Sequence, residues 1–280
     1  MNGYGRLSAI QRDLAGVRAS MLIMELIALR DEVSREFDRA TSRHMYSVAG
    51  TRYYSGDGRR RLYLGDDLIA VTTLKLSATA DQPSTFDYTL AAGTDYTLWP
   101  RNAASRGEPY RAVDLNPGGQ FATWPSGADN IELVGLFGYS DLWDASGLTG
   151  TLASASDTTL VTSALAAGVI DPGDMLKIES EQIEVTEVTD AIVTVIRGRN
   201  GTVAAAHTGA AISVRRYPAD VENVVKERTV GRRWDSQGGY DTAITLTGEA
   251  MGAAGSTRGR GIYARWRDAC RDFVNPAAVL

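Results

Sequence analysis

What this chain lacks narrows its chemistry before anything present is read. It has one cysteine, Cys270, so no internal disulfide can close, and one thiol with no Cys or His cluster beside it does not make a zinc site. That usage suits a reducing compartment. Histidine is nearly as scarce: His44 and His207 are the only two, and so the only side chains whose ordinary titration lies near neutral pH. A long hydrophobic run is missing as well. The longest, ASMLIMELIALR at 19–30, is shorter than the roughly 20 residues a bilayer needs, and Glu25 interrupts it. Charged residues follow it rather than a small-residue cleavage site, so neither export nor a membrane anchor is expected. There is no excess of positive charge: Lys and Arg number 29 against 34 Asp and Glu, a net charge of -5, which leaves no overall basic field to hold nucleic acid by its phosphates. The motifs G-x-S-x-G, H-E-x-x-H, the Walker loop and G-x-G-x-x-G do not occur. The expectation is a chain with no catalytic residue, no cofactor and no metal.

What is present suits a folded globular protein: 44% apolar and 22% charged residues over 280 positions, enough for one large domain or two modest ones. No proline falls between Leu7 and Thr41, and apolar residues recur at Leu22, Leu26, Leu29, Val33 and Phe37, the spacing of one helical face. This predicts a long N-terminal helix from Arg18 to Ser42, roughly 35 to 40 Å if unbroken. After Met45, β-branched and aromatic residues alternate with polar ones around Gly56-Asp57-Gly58, which reads as a hairpin. Short strands follow at 94–99, 111–115 and 130–138, making a small antiparallel sheet. DASGLTGTLASAS at 144–156 is nearly uncharged and rich in small residues, as linkers are. A second β unit is predicted from strands at 175–179, 182–188, 191–197 and 211–215, with Asn200-Gly201 in a turn. From Ala219 the helical period returns at Val221, Val224 and Val225, and again at Ile262, Trp266, Cys270 and Phe273. The fold class is thus α+β: a long N-terminal helix, a small antiparallel β-sheet, an inserted all-β module and C-terminal helices. Residues 1–146 and 218–280 form the core domain, and 147–217 the inserted β domain.

Each residue type with reactive potential has a plain structural reading. His44 ends the first helix, where a cation meets the carbonyl end favourably, and His207 reads as an exposed loop residue. The glycines of IRGRNGTVAAAHTGAAISV lack Walker spacing and open onto no helix, so that stretch is a turn and not a phosphate cradle. Seven acids, Asp171, Asp174, Glu179, Glu181, Glu184, Glu187 and Asp190, alternate with Ile178, Ile183 and Val185 and read as the wet face of a half-buried sheet. Arg59-Arg60-Arg61 reads as an edge-strand guard or an interface pairing. Trp99, Trp124, Trp143, Trp234 and Trp266 read as core or interface anchors.

The order of elements, with LRDEVSREFDRATSRHMY, TRYYSGDGRRRLYLGDDLIAVTTLKL, DYTLWPRNA and NIELVGLFGYSDLW, resembles the head-to-tail connector (adaptor) proteins of tailed double-stranded DNA bacteriophages over about 18–143 and, more faintly, 219–274. Residues 171–215 look like a small β module of phage structural proteins, here inserted, and this departs from the shorter, mainly helical connectors. The resemblance implies a virion protein of the head–tail interface, present in the host cytoplasm during assembly, which forms a ring of identical subunits, commonly twelve, beneath the portal. It implies the portal protein and a downstream connector, stopper or tail protein as partners, with double-stranded DNA passing through unbound, and no catalysis. In that setting Leu22, Leu26, Leu29, Val33 and Phe37 are the expected subunit interface, since a long helix can pack against copies of itself around an axis. The family's C-terminal segment engages the portal, and this maps onto Gly261 to Leu280, with Ile262, Trp266, Phe273, Val279 and Leu280 as the docking residues. The insert is expected to project outward from the ring. The competing readings are another phage neck or tail-completion protein, and a surface- or carbohydrate-binding β module. The second is disfavoured because Tyr217 is the only aromatic within 147–217.

Overall fold

The structure, a computed structural model, describes residues 2–14, 23–79, 81–164, 166, 168–244 and 252–275; of 234–244 and 252–260 it describes the backbone alone. The chain is mixed α and β and divides into two compact units, one of Met1–Ser42 with Leu142–Asn275 and the other of Arg43–Asp141.

The first unit holds four helices and a barrel. The N-terminal helical region is not one long rod: α1 is Leu7–Leu14 and α2 is Ile23–Thr41. At 1.5 Å per residue, the 19 residues of α2 reach about 28 Å, not 35 to 40 Å. The hydrophobic period from Leu26 to Phe37 is real, but period alone marks a face and does not show where a helix starts. Leu22 lies outside the described residues. After the barrel come α4, Ala219–Ile244, and α5, Gly252–Phe273, described below with α1 and α2; the short α3 belongs to the second unit. Asp220 and Glu222 sit in the first turn of α4, where the unpaired N–H groups favour negative charge.

Six strands close the barrel: β7 (Leu142–Leu152), β8 (Thr159–Thr162), β9 (Met175–Ile178), β10 (Glu181–Thr189), β11 (Ile192–Ile196) and β12 (His207–Arg216), in the order β10-β11-β8-β7-β12-β9. Leu152, Leu160, Leu176, Ile178, Ile183, Val193 and Ile212 fill its interior. The segment read as a linker is therefore β7, a wall of the barrel. Its small residues serve packing: a Cβ at Gly150 would lie 2.6 Å from Leu160 Cδ1 and 2.9 Å from Ile212 Cδ1. Nor does the Asn200-Gly201 turn join neighbouring strands. A short 3-10 turn at Arg199–Gly201 lies within the connection from β11 to β12, and those strands are not adjacent in the barrel.

The second unit is a six-stranded antiparallel sheet ordered β1-β6-β2-β5-β4, with β3 on β2: β1 (Val48–Gly56), β2 (Arg61–Leu76), β3 (Tyr88–Thr89), β4 (Tyr96–Trp99), β5 (Tyr110–Leu115) and β6 (Gly127–Phe137). The α3 turn, Ala103–Arg106, joins β4 to β5. The expected β1–β2 hairpin does not form. β6 lies between them, pairing Thr51 with Val134 on one side and Leu74 with Leu133 on the other. A turn signal reports chain reversal, not which strand fills the gap. Leu62, Leu74, Val113, Trp124, Ile131 and Leu133 form the core of this unit.

Candidate functional site

The expected interface and docking residues lie mostly inside this chain. Leu26, Val33 and Phe37 are buried, and Leu29 is half-buried. The Phe37 ring meets Trp266 at 5.4 Å and Phe273 at 5.9 Å, while Leu26 packs with Leu7, Ile10 and Val230. Ile262 and Trp266 are buried and Phe273 half-buried, and Val279 and Leu280 lie outside the described residues. These positions build the helical core of the first unit. Ion pairs rim it: Arg232 reaches Glu32 at 2.8 Å and Glu36 at 2.7 Å, and Arg265 reaches Glu227 at 2.9 Å.

Of the tryptophans, Trp124 and Trp266 are core, Trp99 and Trp143 are half-buried, and the side chain of Trp234 lies outside the described set. Arg59 and Arg60 precede β2, and Arg61, its first residue, pairs with β5 alone, since β6 joins β2 only from Leu68. Arg61 forks onto Asp114 of β5 with two 2.7 Å hydrogen bonds and lies 4.6 Å from the Trp99 ring centre. His44 lies three residues past the end of α2, exposed, with its ring 5.4 Å from that of Tyr46.

The densest polar cluster, at one end of the barrel, is the one the sequence reading misplaced. His207 is buried at the start of β12, not exposed in a loop. Its Nε2 lies 2.8 Å from Glu181 Oε2 and its Nδ1 lies 3.1 Å from Glu179 Oε2. Glu181 is itself fully buried, on no wet face, and accepts Arg197 Nε at 2.8 Å and Arg197 Nη2 at 2.7 Å. It also accepts the backbone N–H groups of Gly198 at 3.0 Å and Ala205 at 3.1 Å. Burial alone would raise the Glu181 carboxyl; the Arg197 guanidinium, His207 and the two N–H groups outweigh it and hold it at about 2. Arg197 donates further to the carbonyls of Ser154 and Asp157. One carboxylate thus clasps the 197–207 connection onto the barrel end. With the lone pairs of Glu181 occupied, this carboxylate acts as a fastener.

A second cluster joins the helices to the barrel within the same unit. Residues 2–6 run between them as a strap. The Tyr4 hydroxyl donates to Asp38, the Tyr4 N–H donates to Ser34 Oγ at 2.9 Å, and the Tyr4 ring lies 4.6 Å from that of Tyr217. Burial first, and then Asp38, push the Tyr4 phenol well above its ordinary range, so it remains a donor. Asn2 and Asn200 exchange side-chain hydrogen bonds at 2.8 and 3.1 Å. Buried Arg30 donates to the Gly173 carbonyl and to Asp31, both at 3.0 Å, and a Cβ at Gly3 would stand 2.0 Å from its Nε. Asp174, a second acid off the expected wet face, is pushed up to about 6 by burial. It accepts the Asp171 N–H at 2.9 Å and lies 3.7 Å from Arg6. The cavity here, lined by Gly3, Arg6, Asp174, Arg215 and Tyr217, holds about 10 Å³, the room of a single water.

In the sheet unit an open cleft of about 540 Å³ lies between Ile69–Val71 and Tyr96–Leu98, and Arg101 is the one ionised side chain on its wall. It offers no acid–base pair. Among the described residues no group of three or more His, Cys, Asp or Glu is arranged to hold a metal ion, and no helix is long and apolar enough to cross a membrane. Among the exposed apolar side chains, which also include Met24, Tyr53, Tyr63 and Val203, Val161 on β8 and Ile192 and Ile196 on β11 face outward from the barrel wall, and Tyr263 from α5. No protein-family model, curated protein or solved structure matches this chain.

Proposed function

We propose that this is a non-catalytic structural protein of a phage particle, a head-to-tail connector whose copies form a ring beneath the portal, extend the DNA channel and offer the tail an attachment surface. The observation that carries the reading is the resemblance over about 18–143 and 219–274. The physical picture is compatible with it. The strongest polar groups, Glu181, Arg197, Arg30 and Asp38, are fasteners within the chain, while β-branched side chains stand exposed on the barrel wall. Exposed contiguous apolar surface marks sites of association. A net charge of -5 suits a channel wall along which phosphate slides without binding. The competing carbohydrate-binding reading gains little from the barrel, where Tyr217 is buried against Tyr4 and the half-buried Trp143 ring is covered by Arg215 at 4.0 Å.

Size-exclusion chromatography with light scattering, followed by negative-stain imaging of the chain alone and with portal, tests the proposal. A closed ring seated on portal is expected. Failure to bind portal, or robust turnover by the isolated chain, would end it.

A further inference from the structure

The outer wall of the barrel at β8, β10 and β11 has two properties together. Ile192 stands opposite Val161, Thr194 opposite Thr159, and Ile196 continues the line, so a row of β-branched side chains faces outward. Val161 is 53% exposed, Ile192 50% and Ile196 44%. Beside that row, β10 presents Glu187, which pairs with Thr194, and Asp190 follows at the turn into β11; both are exposed. The three strands contain no Lys or Arg at all. The wall is therefore an apolar strip bordered by Glu187 and Asp190 toward the β10–β11 turn, with Arg199 paired to Glu184 opposite Ile196 at the other end.

α5 carries the opposite pattern: five Arg against two Asp. Tyr263, Arg267 and Arg271 recur every fourth residue, which places them on one stripe of the helix. Tyr263 is 50% exposed, and Arg267 and Arg271 are exposed.

We infer that the barrel wall of one copy receives the Tyr263–Arg267–Arg271 stripe of α5 from the next copy. Tyr263 lies on Ile192 and Val161, and the two arginines face Glu187 and Asp190. The inference rests on the assembly reading above and gives it a contact. Because the two surfaces differ, the contact is heterologous: each copy offers one surface and consumes the other, and such contacts propagate until they close into a ring or run on as a filament.

The test uses the full chain in a Cys270→Ser background, since Cys270 is the only native thiol. Ile192→Cys and Tyr263→Cys are placed in separate chains, mixed at high concentration, alone and with portal, and oxidised. A disulfide between the two different variants is expected, with far less between identical ones. Changing Glu187 and Asp190 together to Lys should lower its yield by about tenfold or more, and adding Arg267→Glu with Arg271→Glu to the Tyr263→Cys chain should restore it. These residues are exposed, so the changes should leave the fold intact, checked by circular dichroism. No cross-linked product, with or without portal, overturns the contact. Rings that assemble on portal without the product also overturn it and leave the assembly reading standing. A product found only in open filaments supports the contact and contradicts the ring.

Discussion

Glu181 shows how much one carboxylate can hold at a barrel end. Replacing it with Gln keeps the shape but leaves the Arg197 guanidinium, 7% exposed, without its counter-ion. Removing one partner of a buried pair costs about 3 to 5 kcal/mol, so Glu181→Gln should lower stability by about 3 kcal/mol or more in urea unfolding. The pH dependence has a definite sign. The folded value of about 2 lies below the roughly 4.3 of a free Glu, so the contribution is complete above about pH 4.5 and is lost as pH falls through 2. Asp174 acts oppositely. Its folded value, about 6, exceeds the roughly 3.9 of a free Asp, so its contribution is present below about pH 4 and is lost as pH rises through 6. Asp174→Asn should therefore flatten the decline in stability between pH 4 and 6, read from unfolding midpoints across that range; an unchanged slope would refute the assignment. Neither role was legible from local pattern. Glu181 belongs to a run of seven acids, its partners lie 16 and 26 residues on, and only barrel closure brings them together.

At the scale of elements, periodicity located most strands and three helical faces, and failed where small residues were in question. β7 was read as a linker because Gly147, Gly150, Ser146 and Ala145 lower its apparent β-propensity. Its small side chains leave space for Leu160 and Ile212 inside the barrel, a non-local requirement. Gly150→Val should overpack that interior and cost about 1 to 3 kcal/mol in thermal or urea unfolding, whereas a true linker position would tolerate it. The strap at residues 2–6 was also overlooked, since nothing in NGYGR announces a buried tyrosine. Tyr4→Phe removes the donor to buried Asp38 and should cost about 1 to 3 kcal/mol, with little change in secondary structure by circular dichroism. The missed β1–β2 arrangement has the same origin: β6, more than seventy residues after β1 begins, supplies the strand between them, and chain neighbours need not be sheet neighbours.

For the whole molecule, the sequence made a mixed α and β chain legible, because that follows from the change in period along the chain. It did not reveal that the apolar faces of α2 and α5 are consumed by each other, as Phe37 against Trp266 and Phe273 shows. A periodic face is equally consistent with a partner inside the chain and a partner outside it. Most direct as a test of the account is imaging of the purified chain bound to portal, by light scattering and then electron microscopy. The account predicts a closed collar of identical subunits coaxial with the portal, joined wall to stripe. A chain that stays apart from portal, or particles infectious without it at the neck, would contradict the account.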